Sequence, residues 1–158
     1  MFRLPTDTST DFIKRVIGLP GDTIQMKEGV LHINGTAVKR EKVADFNEEG
    51  RSSSVDQYRE TLPNGKTFLT LDTVPNAQAD NTQEYKVPEG MYFMMGDNRD
   101  NSQDSRFSNV GFVPLENFIG RAEFLFFSIS NGTNAWDVWK WPANVRFYRL
   151  FDGLKANR

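Results

Sequence analysis

Short runs of apolar, β-branched and aromatic residues, closed off by Asn-Gly, Pro-Gly and similar pairs, follow one another along most of the chain. This punctuation predicts an antiparallel β protein, because two-residue turns of this kind return one strand directly onto the next. Val30–Ile33, Asn34-Gly35 and Thr36–Lys39 form one predicted hairpin; Gln57–Leu62, Pro63-Asn64-Gly65 and Lys66–Thr73 form another. Phe12–Ile17 is a predicted strand stopped at Gly18-Leu19-Pro20-Gly21-Asp22, where Pro fixes φ and Gly accepts a positive φ. Met91–Met95 and Arg121–Ile129 are further buried strands, and nowhere does a convincing helical period emerge. The expected fold class is therefore mostly β, an antiparallel core.

The polar and apolar positions are unevenly distributed, which suggests an internal division. The stretch from about Glu41 to Glu84 is poorer in apolar residues than its flanks, so residues 27–86 are expected to be an inserted, hairpin-rich β sub-domain. The core is then built from 1–26 and 87–130, and 131–158 is an aromatic C-terminal tail packing on it. That arrangement brings two loops rich in Gly and Asp into one module: Gly18–Asp22 and Gly96–Arg106.

Composition narrows the chemistry more than the fold. With no Cys and one His in 158 residues, thiolate nucleophiles, cysteine-ligated zinc and a His-rich metal site are excluded, and a Ser/His/Asp triad would have to use His32. Without His32, catalysis rests on Lys, Asp, Glu, Ser, Thr or Tyr. Nineteen basic and 21 acidic residues leave a net charge of −2, too balanced for electrostatic capture of nucleic acid. No apolar run approaches the ~18 residues that span a bilayer, and Met1-Phe2-Arg3-Leu4-Pro5 is no secretory leader, so the chain is expected to be soluble.

The densest polar cluster, Gly96-Asp-Asn-Arg-Asp-Asn-Ser-Gln-Asp-Ser-Arg106, follows the apolar strand Met91–Met95. Asp100, Ser102 and Asp104 have the spacing of the first calcium ligands of an EF-hand. Ser105 and Gly111 stand where that loop needs Gly and Glu, and no helices flank it. By itself the run reads equally as a well-ordered turn whose Asp, Asn and Ser bond the local backbone. Lys14 falls between apolar neighbours; on a strand, Phe12, Lys14 and Val16 would share one face. A lysine acts as a general base only when neutral, and desolvation favours that form. The plainer reading is a strand lysine whose ammonium reaches water.

Together the two features are more specific than either alone. Phe12-Ile-Lys-Arg-Val-Ile-Gly-Leu-Pro-Gly-Asp22, then Tyr92-Phe-Met-Met-Gly-Asp-Asn-Arg-Asp-Asn-Ser-Gln-Asp-Ser-Arg106 and Gly111-Phe-Val-Pro114, closely resemble the type I signal peptidases. These membrane-anchored Ser/Lys proteases remove signal peptides from exported proteins. The resemblance covers the two core segments and the C-terminal strand region, and it implies a β core of the signal-peptidase type, with residues 27–86 matching only by position. By position, Lys14 resembles the family's general base and Ser102 the hydroxyl that orients it. Asp104 and Arg106 resemble the charged pair that braces the loop, and Asp97 a further structural carboxylate. Asp11, Phe12 and Ile13 resemble the strand edge along which the signal peptide adds in extended form. No metal or cofactor is implied. His32, in a hairpin of the insertion, has no role in this scheme.

The resemblance also places the nucleophile, a Ser-x-x-Pro-like motif behind a transmembrane anchor, upstream of the Lys segment. No such motif or anchor is found here, and Ser9, five residues from Lys14 and without the Pro, is a poor substitute. The chain thus reads as a soluble remainder of a longer enzyme of the bacterial cytoplasmic membrane, its domain on the periplasmic or extracytoplasmic side, and as inactive alone. Ser108-Asn109-Val110 lengthens the exit of the second motif relative to the family pattern. The expected partners are signal peptides of preproteins and, in the parent protein, the membrane surface. Trp136, Trp139 and Trp141, with Arg146 and Arg149 nearby, suit headgroup contact or packing onto the core. Two other readings stay open: another Ser/Lys peptidase such as a self-cleaving repressor, and a non-catalytic β module that binds extended peptides or membranes.

Overall fold

The computed structural model describes residues 1–47 and 54–122. Thirteen short strands carry the fold, and the described residues contain no α-helix. Phe2–Leu4 (β1) and Asp7–Phe12 (β2) pair antiparallel in a two-stranded ribbon. Arg15–Gly18 (β3), Thr23–Lys27 (β4), Val30–Ile33 (β5), Thr36–Ala37 (β6), Lys39–Lys42 (β7) and Phe46–Asn47 (β8) follow. Then come Ser54–Thr61 (β9), Thr67–Asp72 (β10), Tyr85–Lys86 (β11), Met91–Met95 (β12) and Val113–Pro114 (β13). β11-β4-β5-β6 form one sheet, β10-β9-β7 another with β8 also on β9, and β13-β12-β3 a third.

The predicted hairpins are present with small shifts of boundary. Asn34 and Gly35 both take positive φ, 52° and 77°, as the tight β5–β6 turn requires. The strand expected over 36–39 divides: Thr36–Ala37 stays with β5, whereas Lys39 begins β7 and turns to β9. β9 and β10 run in unbroken antiparallel register from Thr61↔Thr67 to Asp56↔Asp72.

The single strand expected over Phe12–Ile17 is corrected. β2 ends at Phe12, which pairs with Phe2, and β3 starts at Arg15, which pairs with Met95. A chain that passes from one sheet to another must release one set of ladder bonds before taking up the next. Ile13 and Lys14 are the residues at that crossing, so Phe12, Lys14 and Val16 are not three successive members of one strand face. The strand expected over 121–129 does not begin at Arg121 or Ala122, and its remainder lies outside the described residues, as do all three Trp of the tail.

β12 explains its own composition. Phe93 and Met95 point into a cluster with Ile17, Ile24, Leu31, Leu62 and Phe68, while Met94 points the other way, against Phe2, Val110 and Val113. A strand buried on both faces must be apolar at successive positions rather than alternate ones, which is the pattern of Met91–Met95. Phe93, Met94 and Met95 are each at most 1% exposed, so the loop that leaves β12 starts from a fixed wall. The larger cluster draws side chains from both sides of the boundary at residues 26 and 27, and the β4–β5 hairpin straddles it. Among the described residues no helix is long and apolar enough to cross a membrane.

Candidate active site

The crossing between β2 and β3 and the loop after β12 meet at one point. The Lys14 ammonium donates to Ser102 Oγ at 2.9 Å, across 88 positions of sequence, and Lys14 is half-buried. Its Nζ also lies 5.4 Å from the centroid of the Phe12 ring. The pair stands in a groove of about 890 Å³ whose walls include Ile13, Val16, Leu62, Phe68 and Phe118.

What holds Ser102 is the remainder of its loop. Asp104, with no exposed surface, receives Arg106 Nε and Nη2, both at 2.9 Å, and its Oδ2 also accepts the Gly96 amide at 2.9 Å. Arg106 Nη2 then donates to the Arg99 carbonyl at 2.6 Å, so one buried ion pair ties the loop's beginning, middle and end. Ser105 adds a pair of bonds to β12: its amide donates to the Met94 carbonyl, and its Oγ accepts the Met94 amide.

Asp97 leaves the loop on the other side. Arg15 Nε and Nη2 donate to its two carboxylate oxygens at 2.9 and 2.8 Å, the fork geometry that guanidinium makes with carboxylate. Arg15 also stacks on Phe68, 4.1 Å from the ring centroid. The residue after Lys14 is thereby fixed to the residue after Gly96, which sets the approach of the two motifs.

Gly96 was not singled out by the sequence, although its role is steric and strict. A Cβ built there would lie 2.0 Å from Ser102 Oγ and 2.5 Å from Ser102 Cβ, with Lys14 Nζ at 3.5 Å. Gly96→Ala must therefore push Ser102 away from Lys14. Overpacking of this kind costs about 1–3 kcal/mol, and it breaks the bond between Lys14 and Ser102. Chemical denaturation of Gly96→Ala is expected to show the loss as a lowered midpoint.

The sequence-predicted positions fall into four groups. Lys14, Ser102, Asp104, Arg106 and Asp97 converge in the way just described. Asp11, Phe12 and Ile13 form the end of β2 and the start of the crossing; Ile13 is 64% exposed, and among the described residues β2 pairs with β1. Ser9 is engaged elsewhere: its Oγ donates to Asp7 at 2.6 Å, and with Thr10 Oγ1 it holds the Asp7 carboxyl below its ordinary range. The extra exit residues Ser108–Val110 form a turn in which the Val110 and Gly111 amides both return to the Phe107 carbonyl, and Val110 drops into the smaller core cluster.

Missed by the sequence reading were Arg99, Asp100 and Glu60. Asp100 Oδ2 accepts the amides of Thr73 and Val74 at 2.6 and 2.8 Å, and Arg99 pairs with Glu60. Arg99 and Asp100 stood within the polar run; Glu60 carried no signal, because one carboxylate among the six acids of residues 41–60 does not show that it is buried. Among the described residues no cluster of His, Cys, Asp and Glu could hold a metal ion.

Residues 1–127 match the family model described as signal peptidase, peptidase S26. Proteins named signal peptidase I from Rickettsia akari and Rickettsia typhi are 40% and 41% identical to this chain over 171 aligned positions, which take in 98% of it. The one from Rickettsia canadensis is 41% identical over 172. The chain spans 63% of the length of these relatives. A solved signal peptidase I from Enterococcus faecalis V583 is 29% identical, with a TM-score of 0.35 over 68% of this chain and 78% of its own. With a family match over most of its length and such relatives across nearly all of it, the chain belongs to the signal peptidases of peptidase family S26.

Proposed function

We propose that the protein bearing this sequence is a signal peptidase I, a membrane-associated serine endopeptidase that removes signal peptides from exported preproteins. The observation that carries the reading is the 2.9 Å bond between Lys14 Nζ and Ser102 Oγ in a groove that Ile13 also lines, just past the end of β2. In its neutral form Lys14 still donates one N–H to Ser102 Oγ, and that bond aims the nitrogen lone pair. The lone pair takes the proton of a serine hydroxyl as its oxygen attacks the scissile carbonyl. Lys14 then returns the proton to the leaving amine, and water releases the acyl-enzyme by the same base. The signal peptide lies extended along Asp11, Phe12 and Ile13, where main-chain bonds give affinity and small pockets select the side chains.

On this reading the nucleophile is carried outside these 158 residues and the domain works on the extracytoplasmic side of a bacterial cytoplasmic membrane. Residues 1–158 alone then bind an extended peptide without hydrolysing it. The test is to incubate the protein at its full natural length with a preprotein bearing an Ala-x-Ala site, trap the acyl-enzyme, and locate the modified serine by mass spectrometry. Cleavage after the small residue, with the label on a serine other than Ser9 or Ser102, is expected. A label on Ser102 would make that residue the nucleophile instead of the orienting hydroxyl, and peptide binding without any cleavage would favour a non-catalytic binding module.

A further inference from the structure

Glu60 is the most deeply buried acid of the inserted sheet, 1% exposed near the end of β9, and the mechanism above makes no use of it. A carboxylate withdrawn from water this completely must be compensated by a partner. The partner lies in the other motif: Arg99 Nη2 donates to Glu60 Oε2 at 2.5 Å, with both side chains at most 4% exposed. Glu60 Oε1 has Thr70 Oγ1 at 3.5 Å. Arg99 Nε and Nη1 find no acceptor among the described residues, so its charge depends on Glu60.

The connection continues from Arg99 toward the reacting groups. Its carbonyl receives Arg106 Nη2; Arg106 holds Asp104; Asp104 holds the Gly96 amide; and Gly96 is the residue against which Ser102 rests. On its outer side the same loop is fastened to β10: the Leu71 amide donates to the Asp97 carbonyl, the Arg99 amide to the Leu71 carbonyl, and Thr73 and Val74 donate to Asp100. The β9–β10 hairpin is thus a frame for the loop that presents Ser102. The main-chain bonds hold the loop to the hairpin at Leu71, and the buried, directional Glu60–Arg99 pair ties the two at a second point on the neighbouring strand β9.

The geometry points to Glu60 as a positioning residue for the Lys14–Ser102 pair, acting through Arg99 and the Asp104–Arg106 brace; this inference rests on the proteolytic reading above. The inserted hairpin then contributes to catalysis without touching substrate.

Glu60→Asp keeps the charge and withdraws the carboxylate by one methylene; Glu60→Gln keeps the length and removes the charge. In the protein at its full natural length, acting on a preprotein substrate, kcat is expected to fall about 10-fold for the first and about 100-fold for the second, with KM within about twofold. Leu31→Ala, in β5 away from this loop, is expected to lower thermal stability while leaving kcat per folded molecule unchanged. Amide hydrogen exchange on residues 1–158 supplies a readout independent of activity: Glu60→Asp should accelerate exchange at Gly96 and Asn101 while Leu31 and Ile33 keep their protection. If Glu60→Gln does not fold, Glu60→Asp decides alone. Wild-type kcat and unchanged exchange at Gly96 in Glu60→Asp would overturn the inference. Failure of the proteolytic reading shows separately, as cleavage that survives Lys14→Ala, and leaves the exchange result standing.

Discussion

Lys14→Ala is expected to remove at least two to four orders of magnitude of preprotein cleavage, about the contribution of a positioned general base, while the domain stays folded. The structural cost is small because Lys14 is half-buried and, among the described residues, makes one side-chain hydrogen bond, to Ser102, whose net worth is about 0.5–1.5 kcal/mol. Lys14→Arg separates the two roles that a lysine could have here. Arginine keeps the positive charge and can still donate to Ser102 Oγ, but it does not give up its proton in a protein and so offers no lone pair. A lysine that merely neutralised the groove or braced the loop would be replaced well by arginine. On the proposed mechanism Lys14→Arg is as inactive as Lys14→Ala, and the measurement is kcat on a preprotein with circular dichroism confirming the fold. Substantial turnover by the arginine variant would contradict the assignment of the base.

Asp104→Asn should be the most destabilising single-atom change in the site. The Arg106 side chain is 1% exposed and among the described residues pairs with no other carboxylate, so the substitution leaves a buried guanidinium facing an amide that presents N–H groups of its own. Breaking one partner of such a pair costs about 3–5 kcal/mol, more than the pair itself contributes relative to apolar replacements, because an uncompensated charge stays buried. The Gly96 amide loses its charged acceptor in the same step. A urea titration is expected to shift to a markedly lower midpoint with an unchanged slope, and activity should fall further than the folded fraction accounts for. By contrast, Asp97→Asn removes a pair that is 25% and 48% exposed, where screening by water leaves a smaller effect.

That Asp104 and Arg106 form a pair was implied by the family resemblance, whereas the severity of losing one depends on their burial, which no local pattern reports. The same division runs through the molecule. The hairpins at Asn34-Gly35 and Pro63-Asn64-Gly65 and the two-sided burial of Met91–Met95 were legible because turn chemistry and apolar continuity are local properties. The two motifs, and with them Lys14 and Ser102, were legible because their residues are contiguous and their family resemblance is long.

The break of the expected strand at Ile13 and Lys14 was not legible. Phe12–Ile17 has a continuous strand composition, and only the competing partners Phe2 and Met95 decide where one ladder ends and the next begins. Gly96 looked like an ordinary loop glycine until Ser102 stood against it, six residues on in the chain. Glu60 lies 39 residues from Arg99, in a stretch where Glu41 and Asp45 are exposed. From the sequence alone came the antiparallel β class, the exclusion of Cys-based chemistry, and the two segments that meet. The tertiary structure decided how they meet and what braces them, because close approach, burial of charge and the choice of strand partner are settled between residues far apart in the chain.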